Sequence, residues 1–252
     1  MLNSDMHIHT IMSGHAFCTI NECIEVAQRQ KLSLIAITDH GPSMQHSAHE
    51  GYFEMSERVP KSFANLRVLF GCEVNILSKN GDVDLSTQTM SKLDVVLAGL
   101  HARTPYIGSS EADNTSAIIN TMKRHPSIRI ITHPYRADFP VYVPDVVYAA
   151  KEYNVLLEIN ASLLLKAIQN RTNEKASRVI HKTAEIIRLL QSTATGYVIN
   201  SDAHHSSEIG ISSASFDILS AELGIRSEFI LNNRNELLSK FIPAIKKNGS
   251  AL

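Results

Sequence analysis

The chain has 252 residues, of which 44% are hydrophobic and 19% charged, with 24 lysines and arginines against 25 aspartates and glutamates. That is within reach of one α/β core and too apolar for a disordered chain. A net charge of −1 does not point to a nucleic-acid-binding surface, though it leaves room for a local basic patch, and no apolar run approaches the roughly 20 residues that a membrane span needs.

The opening residues, MLNSDMHIHT, lack a basic stretch followed by an apolar core, so no secretory signal is expected. A first strand is expected at residues 5–8. Thr19 and Glu22 then form a capping-box pattern that opens a helix with Ile20, Cys23, Ile24 and Ala27 on one face. Strands are expected at 34–38, 68–74, 94–99, 128–132, 155–159 and 197–200. Several of these runs are apolar on both faces of the pleat, as strands covered on both sides are. Residues 114–124 and 143–153 read as crossover helices, the second with Pro144 in its first turn. Residues 176–190 place Ala176, Val179, Ile180, Thr183, Ile187 and Leu190 on a single helical stripe. Strand–helix alternation repeated about seven times implies a parallel sheet. No Pro/Gly/Ser-rich linker, charge block or low-complexity tract interrupts it, so one domain over 1–252, an α/β barrel closed or nearly closed, is expected.

The cysteines, Cys18, Cys23 and Cys72, form no C-x-x-C pair. A sparse, odd count fits a reducing cytoplasm, where the three serve as packing residues. The anomaly in the composition is twelve histidines with no tryptophan.

The residues at and just beyond each strand end are more informative than the count. The first strand ends in His7 and His9, the second in Asp39 and His40, and the third carries Glu73. His101 comes after the fourth and His133 after the fifth; Glu158 and Asn160 end the sixth, and the seventh runs into Asp202 and His204. Each has an ordinary structural alternative, such as a hydrogen-bonded core histidine or a loop-capping aspartate. Seven strands ending in metal-binding residue types is a different matter, because an α/β barrel gathers those ends around one mouth. His46, His49, His125, His181 and His205 fall outside the pattern and are expected at the solvated surface, His46 and His49 close enough to the second strand to reach the rim.

Four ordered motifs carry a resemblance: H-I-H-T at 7–10, T-D-H-G at 38–41, T-H-P at 132–134 and S-D-A-H at 201–204. They resemble those of the PHP (polymerase and histidinol phosphatase) family. S-G-H-A at 13–16, I-T-D-H-G-P at 37–42, A-G-L-H at 98–101 and L-E-I-N at 157–160 are similar to its YcdX-like phosphatase branch. The resemblance implies a distorted (β/α)7, TIM-like barrel holding three divalent metal ions at the C-terminal ends of its strands. It implies that His7, His9, Glu73 and Asp202 hold the first ion, with Glu73 bridging to a second completed by His101 and His133. His15, His40 and His204 would hold the third.

Imidazole and carboxylate donors without thiolate suit zinc, taken first, or manganese or iron. The expected reaction is hydrolysis of a phosphomonoester of a small metabolite by a metal-bound hydroxide held beside Glu73 and Asp202. Arg103, two residues after His101, and Arg136, three after His133, are the expected phosphate contacts. Asp39, Glu158 and Asn160 are expected either to orient ligands from behind or to satisfy loop amides. Two alternatives stay open: a nuclease-like phosphodiesterase, which the balanced charge disfavours, and a metal-binding module without turnover. A homo-oligomer is compatible with the sequence, and no membrane contact is expected.

Overall fold

In the computed structural model, which describes residues 2–246 apart from 107 and 109, strands and helices alternate along the chain. The strands are β1 (Ser4–Ile8), β2 (Leu34–Ile37), β3 (Ser62–Phe63), β4 (Leu66–Asn75), β5 (Val95–Gly99), β6 (Ile128–Ile131), β7 (Leu156–Asn160) and β8 (Val198–Asn200). The helices are α1 (Ile20–Arg29), α2 (Glu50–Glu54), α3 (Thr87–Met90), α4 (Glu111–Arg124), α5 (Val143–Glu152), α6 (Ala161–Gln169), α7 (Glu174–Ser192), α8 (Ser213–Leu223) and α9 (Asn235–Leu238).

Parallel pairing runs in the order β1-β2-β4-β5-β6-β7-β8, and the two-residue β3 folds back antiparallel on β4. The last strand then returns to the first. Ile8 bridges Ala203 in parallel, and the His9 N–H donates to the Ala203 carbonyl at 2.9 Å. Asn232 fastens the same seam, its Nδ2 donating to the carbonyls of Ser4 at 3.0 Å and Ile199 at 2.8 Å. The seven parallel strands therefore make a nearly closed barrel.

Alternation along the strands divides the core in two. Met6, Leu34, Ala36, Leu69, Leu97, Ile130, Leu156 and Val198 fill the barrel interior, and Leu231, Leu238 and Ile242 from the C-terminal segment pack into the same cluster. Ile35, Ile37, Val68, Phe70, Val96, Leu157 and Ile199 face outward under the helices. β1 departs from this rule: Met6 lies in the inner cluster and Ile8 in the outer one, two residues apart. The register with β2 shifts between Asp5 and Ile8, a bulge that re-aims the strand just where it delivers His7 and His9.

The helix signals are realised. Thr19 and Glu22 form the capping box of α1, with the Thr19 N–H donating to Glu22 Oε2 at 2.7 Å. Pro144 sits in the first turn of α5. α6 begins on the residue after β7 ends: Asn160 closes the strand and caps the helix, its Oδ1 accepting from the Leu163 N–H at 2.9 Å. No turn residue announces that helix in the sequence. Cys18, Cys23 and Cys72 are buried free thiols, and no described helix is long and apolar enough to cross a membrane.

Candidate metal centre

The strand ends deliver the nine expected ligand residues to one mouth, and Glu73 is at its centre. Its Oε2 lies 3.2 Å from His7 Nε2, 3.5 Å from His9 Nε2 and 2.9 Å from His40 Nδ1. Its Oε1 lies 3.1 Å from His101 Nε2 and 3.3 Å from His133 Nε2. Asp202 Oδ1 is 3.0 Å from His9 Nε2 and 3.4 Å from His7 Nε2. His15 is half-buried and stacks on His40, ring centroids 5.0 Å apart, with His204 at 4.9 Å.

Three groups among the described residues have donor atoms within 4.8 Å of one another: His7, His9 and Asp202; His40, Glu73 and His101; His9, His40 and His204. They share His9 and His40, so the donors form one continuous cluster. The division differs in detail from that implied by the resemblance. His40 joins Glu73 and His101 where His133 was expected, and His9 joins His40 and His204 where His15 was.

Several atoms in this cluster are hard to explain without a cation. His40 Nδ1 and Glu73 Oε2 are buried and face each other at 2.9 Å outside hydrogen-bond geometry, and neither has a hydrogen-bond partner elsewhere among the described residues, a condition costly for polar groups. The far sides of four rings are tethered. His7 Nδ1 reaches Glu158 Oε1 at 2.8 Å, His9 Nδ1 reaches Ser13 Oγ at 2.9 Å, His101 Nδ1 reaches Asn75 Oδ1 at 2.8 Å, and His204 Nδ1 reaches the Asp202 carbonyl at 2.9 Å. With the proton placed on each Nδ1, the Nε2 lone pairs face inward, those of His7 and His9 only 3.0 Å apart. Converging lone pairs and carboxylates are what a divalent ion with nitrogen and oxygen ligands requires, so the residues fit such ions.

The protonation pattern of His9, His15, His40 and His101 points the same way, and His7 is the exception. Burial, then the neighbouring His40, holds His9 well below the ordinary imidazole value, and the same two causes bring His15 down to about 4. Burial also lowers His40 and His101. Burial acts against the charged form of His7 too, but the Glu158, Glu73 and Asp202 carboxylates outweigh it and hold the ring well above its usual value. Burial opposes ionisation of Glu73 and Asp202, yet the surrounding imidazoles keep both well below the carboxylate range.

Residues behind the cluster fix it in place. Glu158 Oε1 also accepts from Asn200 Nδ2 at 2.9 Å, and its Oε2 accepts from the His133 N–H at 3.2 Å. Asn160 Nδ2 donates to Asp202 Oδ2 at 2.8 Å. Asp39 acts one step further out than expected. It accepts from Thr10 N–H and Oγ1, from Tyr52 Oη and from Ser13 Oγ at 2.6 Å, and Ser13 in turn meets His9. Sequence reasoning missed Ser13, Asn75, Thr132 and Asn200. Asn75 had a signal, standing two residues after Glu73 on one strand and so on one face. Thr132 Oγ1 donates to Glu73 Oε1 at 2.6 Å and lies inside the T-H-P motif.

Backbone strain collects here. His133, Asp202 and Arg103 adopt left-handed φ of 31°, 56° and 68°, a conformation that non-glycine residues hold only where their surroundings enforce it. Arg103 and Arg136 line a cavity of about 310 Å³ over the cluster together with His15, His40, His101, His133, Asp202 and His204. Neither arginine has an ion-pair partner among the described residues.

Of the other histidines, His46, His49, His181 and His205 are exposed, as expected, and His125 is half-buried. His49 caps α2, accepting from the Gly51 N–H, and His205 caps a 3-10 turn at 206–208, accepting from the Ser207 N–H. His125 is half-buried, its Nε2 2.9 Å from the Gly81 carbonyl. His181 Nδ1 lies 3.4 Å from Ser177 Oγ on α7, and His46 is exposed with a left-handed φ of 68°.

Comparison with known proteins agrees with the motifs. The chain is 33% identical over 240 residues to a probable phosphatase of Clostridium novyi, covering 94% of this chain and 93% of the relative. A probable phosphatase of Proteus mirabilis is also 33% identical, over 241 residues, with 95% and 94% covered. Among solved structures, histidinol phosphate phosphatase of Lactococcus lactis, complexed with zinc, L-histidinol and phosphate, superposes with a TM-score of 0.58. At 15% identity, covering 89% of this chain and 94% of that one, it shows a shared fold. The sequence model of the PHP domain matches residues 5–189, and on that match and those near full-length relatives this chain belongs to the PHP family.

Proposed function

We propose that the chain is a metal-dependent phosphatase that hydrolyses phosphomonoesters of small metabolites. The observation that carries this reading is the joining of a buried histidine–carboxylate cluster to two arginines that make no ion pair among the described residues, in one cavity of about 310 Å³. His7, His9, His15, His40, Glu73, His101, His133, Asp202 and His204 would hold three divalent ions, zinc first and manganese or iron as alternatives. When bound, such ions lower the pKa of a coordinated water and draw charge from phosphoryl oxygens.

The chain's own residues do the rest. Arg103 and Arg136 donate to the phosphoryl oxygens and hold the ester over the cluster. Among the described residues the cavity lining holds no hydroxyl or thiol side chain, which favours water as the source of the attacking oxygen. Glu73, fully buried and kept ionised, neutralises charge from beneath. Asp202 keeps 18% of its side chain exposed to the cavity and is the carboxylate that an incoming ester meets. Glu158, Asn75 and Ser13 keep the His7, His101 and His9 rings turned inward.

Release of phosphate from p-nitrophenyl phosphate, against p-nitrophenol release from bis-p-nitrophenyl phosphate, tests the proposal on protein stripped by chelator and reloaded with Zn²⁺ or Mn²⁺. Metal-dependent turnover of the monoester is expected. Faster turnover of the diester would move the reading to a phosphodiesterase, and no turnover of either ester under any metal would end the enzyme assignment.

A further inference from the structure

Arg136 stands between two cavities. It lines the metal-centre cavity and also a second one, about 340 Å³, between the loop after β6 and the α6–α7 hairpin. Both volumes fall near the lower end of the range of about 300–1,000 Å³ typical of small-molecule sites. The second cavity has an apolar floor that includes Leu163, Ala167 and Val179. Its polar rim is mainly cationic. Lys166 and Lys175 join Arg136 there against a single carboxylate, Asp138. Lys175 already pairs with Asp138 at 2.7 Å. Lys166 has Glu208 no nearer than 3.9 Å and is 72% exposed. Lys166 thus keeps only a long ion pair, Arg136 makes none among the described residues, and the rim of this apolar hollow carries three cationic side chains against one carboxylate.

We infer that this second cavity receives the alcohol portion of the substrate, and that this portion carries an anionic group of its own, a carboxylate or a second phosphate. The inference rests on the phosphomonoesterase reading and extends it. With the scissile phosphate over the histidine cluster, the remainder of the ester extends past Arg136 into the second cavity. The floor removes apolar surface of the alcohol from water, and Lys166 and Arg136 meet its anion. An ammonium-bearing alcohol arriving by the same route meets like charge instead, which is how a site rejects an otherwise similar ligand.

The test is kcat/KM of the metal-loaded protein for phosphate esters of four alcohols. These are p-nitrophenol as the plain reference, a carboxylate-bearing alcohol (3-phosphoglycerate), a phosphate-bearing one (fructose 1,6-bisphosphate) and an ammonium-bearing one (O-phosphoethanolamine). One or both anion-bearing esters should exceed the ammonium ester by about tenfold or more, and which of them does so identifies the anion. Lys166 is exposed, so its charge is partly screened, and Lys166→Ala should lower the anion-to-plain ratio about five-fold. Lys166→Glu should lower it further. A ratio unmoved by both variants, or a preference for the ammonium ester, overturns the inference while p-nitrophenyl phosphate is still cleaved. Failure to cleave any of the four overturns the underlying activity as well.

Discussion

Replacing Glu158 with glutamine removes one charge and one acceptor while keeping the side chain's volume. Glu158 satisfies three donors: His7 Nδ1 at 2.8 Å and Asn200 Nδ2 at 2.9 Å on one oxygen, and the His133 N–H at 3.2 Å on the other. An amide offers a single oxygen. With it placed toward His7 and Asn200, the new NH₂ faces the His133 N–H, and a buried backbone donor loses its partner at a cost of about 1–3 kcal/mol. The reverse orientation loses two partners and is worse. For a chain of this length each kcal/mol corresponds to about 2–4 °C in Tm, so metal-stripped Glu158→Gln should melt roughly 2–12 °C below the parent. The His7 ring also loses the carboxylate that makes it more basic, and changes of this kind typically weaken metal binding about 10–100-fold. Thermal unfolding of stripped protein and metal titration against a chromophoric chelator read the two effects separately. A variant that melts with the parent and binds metal equally well would show that the donors on Glu158 do not support the cluster.

Arg136→Ala removes a charge-assisted contact worth about 1.5–3 kcal/mol, so kcat/KM for p-nitrophenyl phosphate should drop about tenfold or more; unchanged kcat and KM would take Arg136 out of substrate binding. Stability of the stripped protein should fall with acid. His9, His15, His40 and His101 are held below the ordinary 6.5, His15 at about 4, so below 6.5 the unfolded chain binds protons that the folded one refuses. Their contribution is complete above pH 6.5 and lost toward pH 4. Glu73 and Asp202, held ionised, extend the loss in the same direction through the carboxylate range. His7, raised by its carboxylates, acts oppositely: its contribution is complete below 6.5 and lost as pH rises through its folded value. A Tm that is flat or rises from pH 7 to pH 5 would contradict this balance. Thr19→Ala breaks the capping box of α1 and should cost about 0.5–2 kcal/mol in denaturant unfolding with metal binding intact; a loss of metal affinity would mean that this cap also sets the loop bearing His15.

The barrel and the positions of its polar residues were legible because two patterns coincide. β-branched apolar runs mark strands, and in this fold the residue types just past them share one opening. His101 and His133, each two residues beyond a strand, are readable on that ground alone. The support behind them was not. Ser13 looks like any loop serine until the backbone turns back through Gly14, at φ 77°, and sets its hydroxyl between Asp39 and His9. Asp39 was readable as a polar strand-end residue, but its contact with the cluster through Ser13 depends on a loop path that no local pattern encodes. α6 escaped because Asn160 serves strand and helix at once. The grouping of donors around His9 and His40 depends on ring orientations, which spacing does not set.

The seam between the first and last strands has a consequence for how the molecule is made. His7 and His9 leave the ribosome nearly two hundred residues before Asp202 and His204, and before the Ala203 and Asn232 contacts that hold the seam shut. Pairings this distant in sequence form late and slowly. A product interrupted before β8 would carry the H-I-H-T, T-D-H-G and T-H-P motifs yet have no closed mouth to bring them to bear. Biosynthesis therefore withholds the centre until β8 and the segment that carries Asn232 have been made, and a copy that stops short of them stays chemically silent.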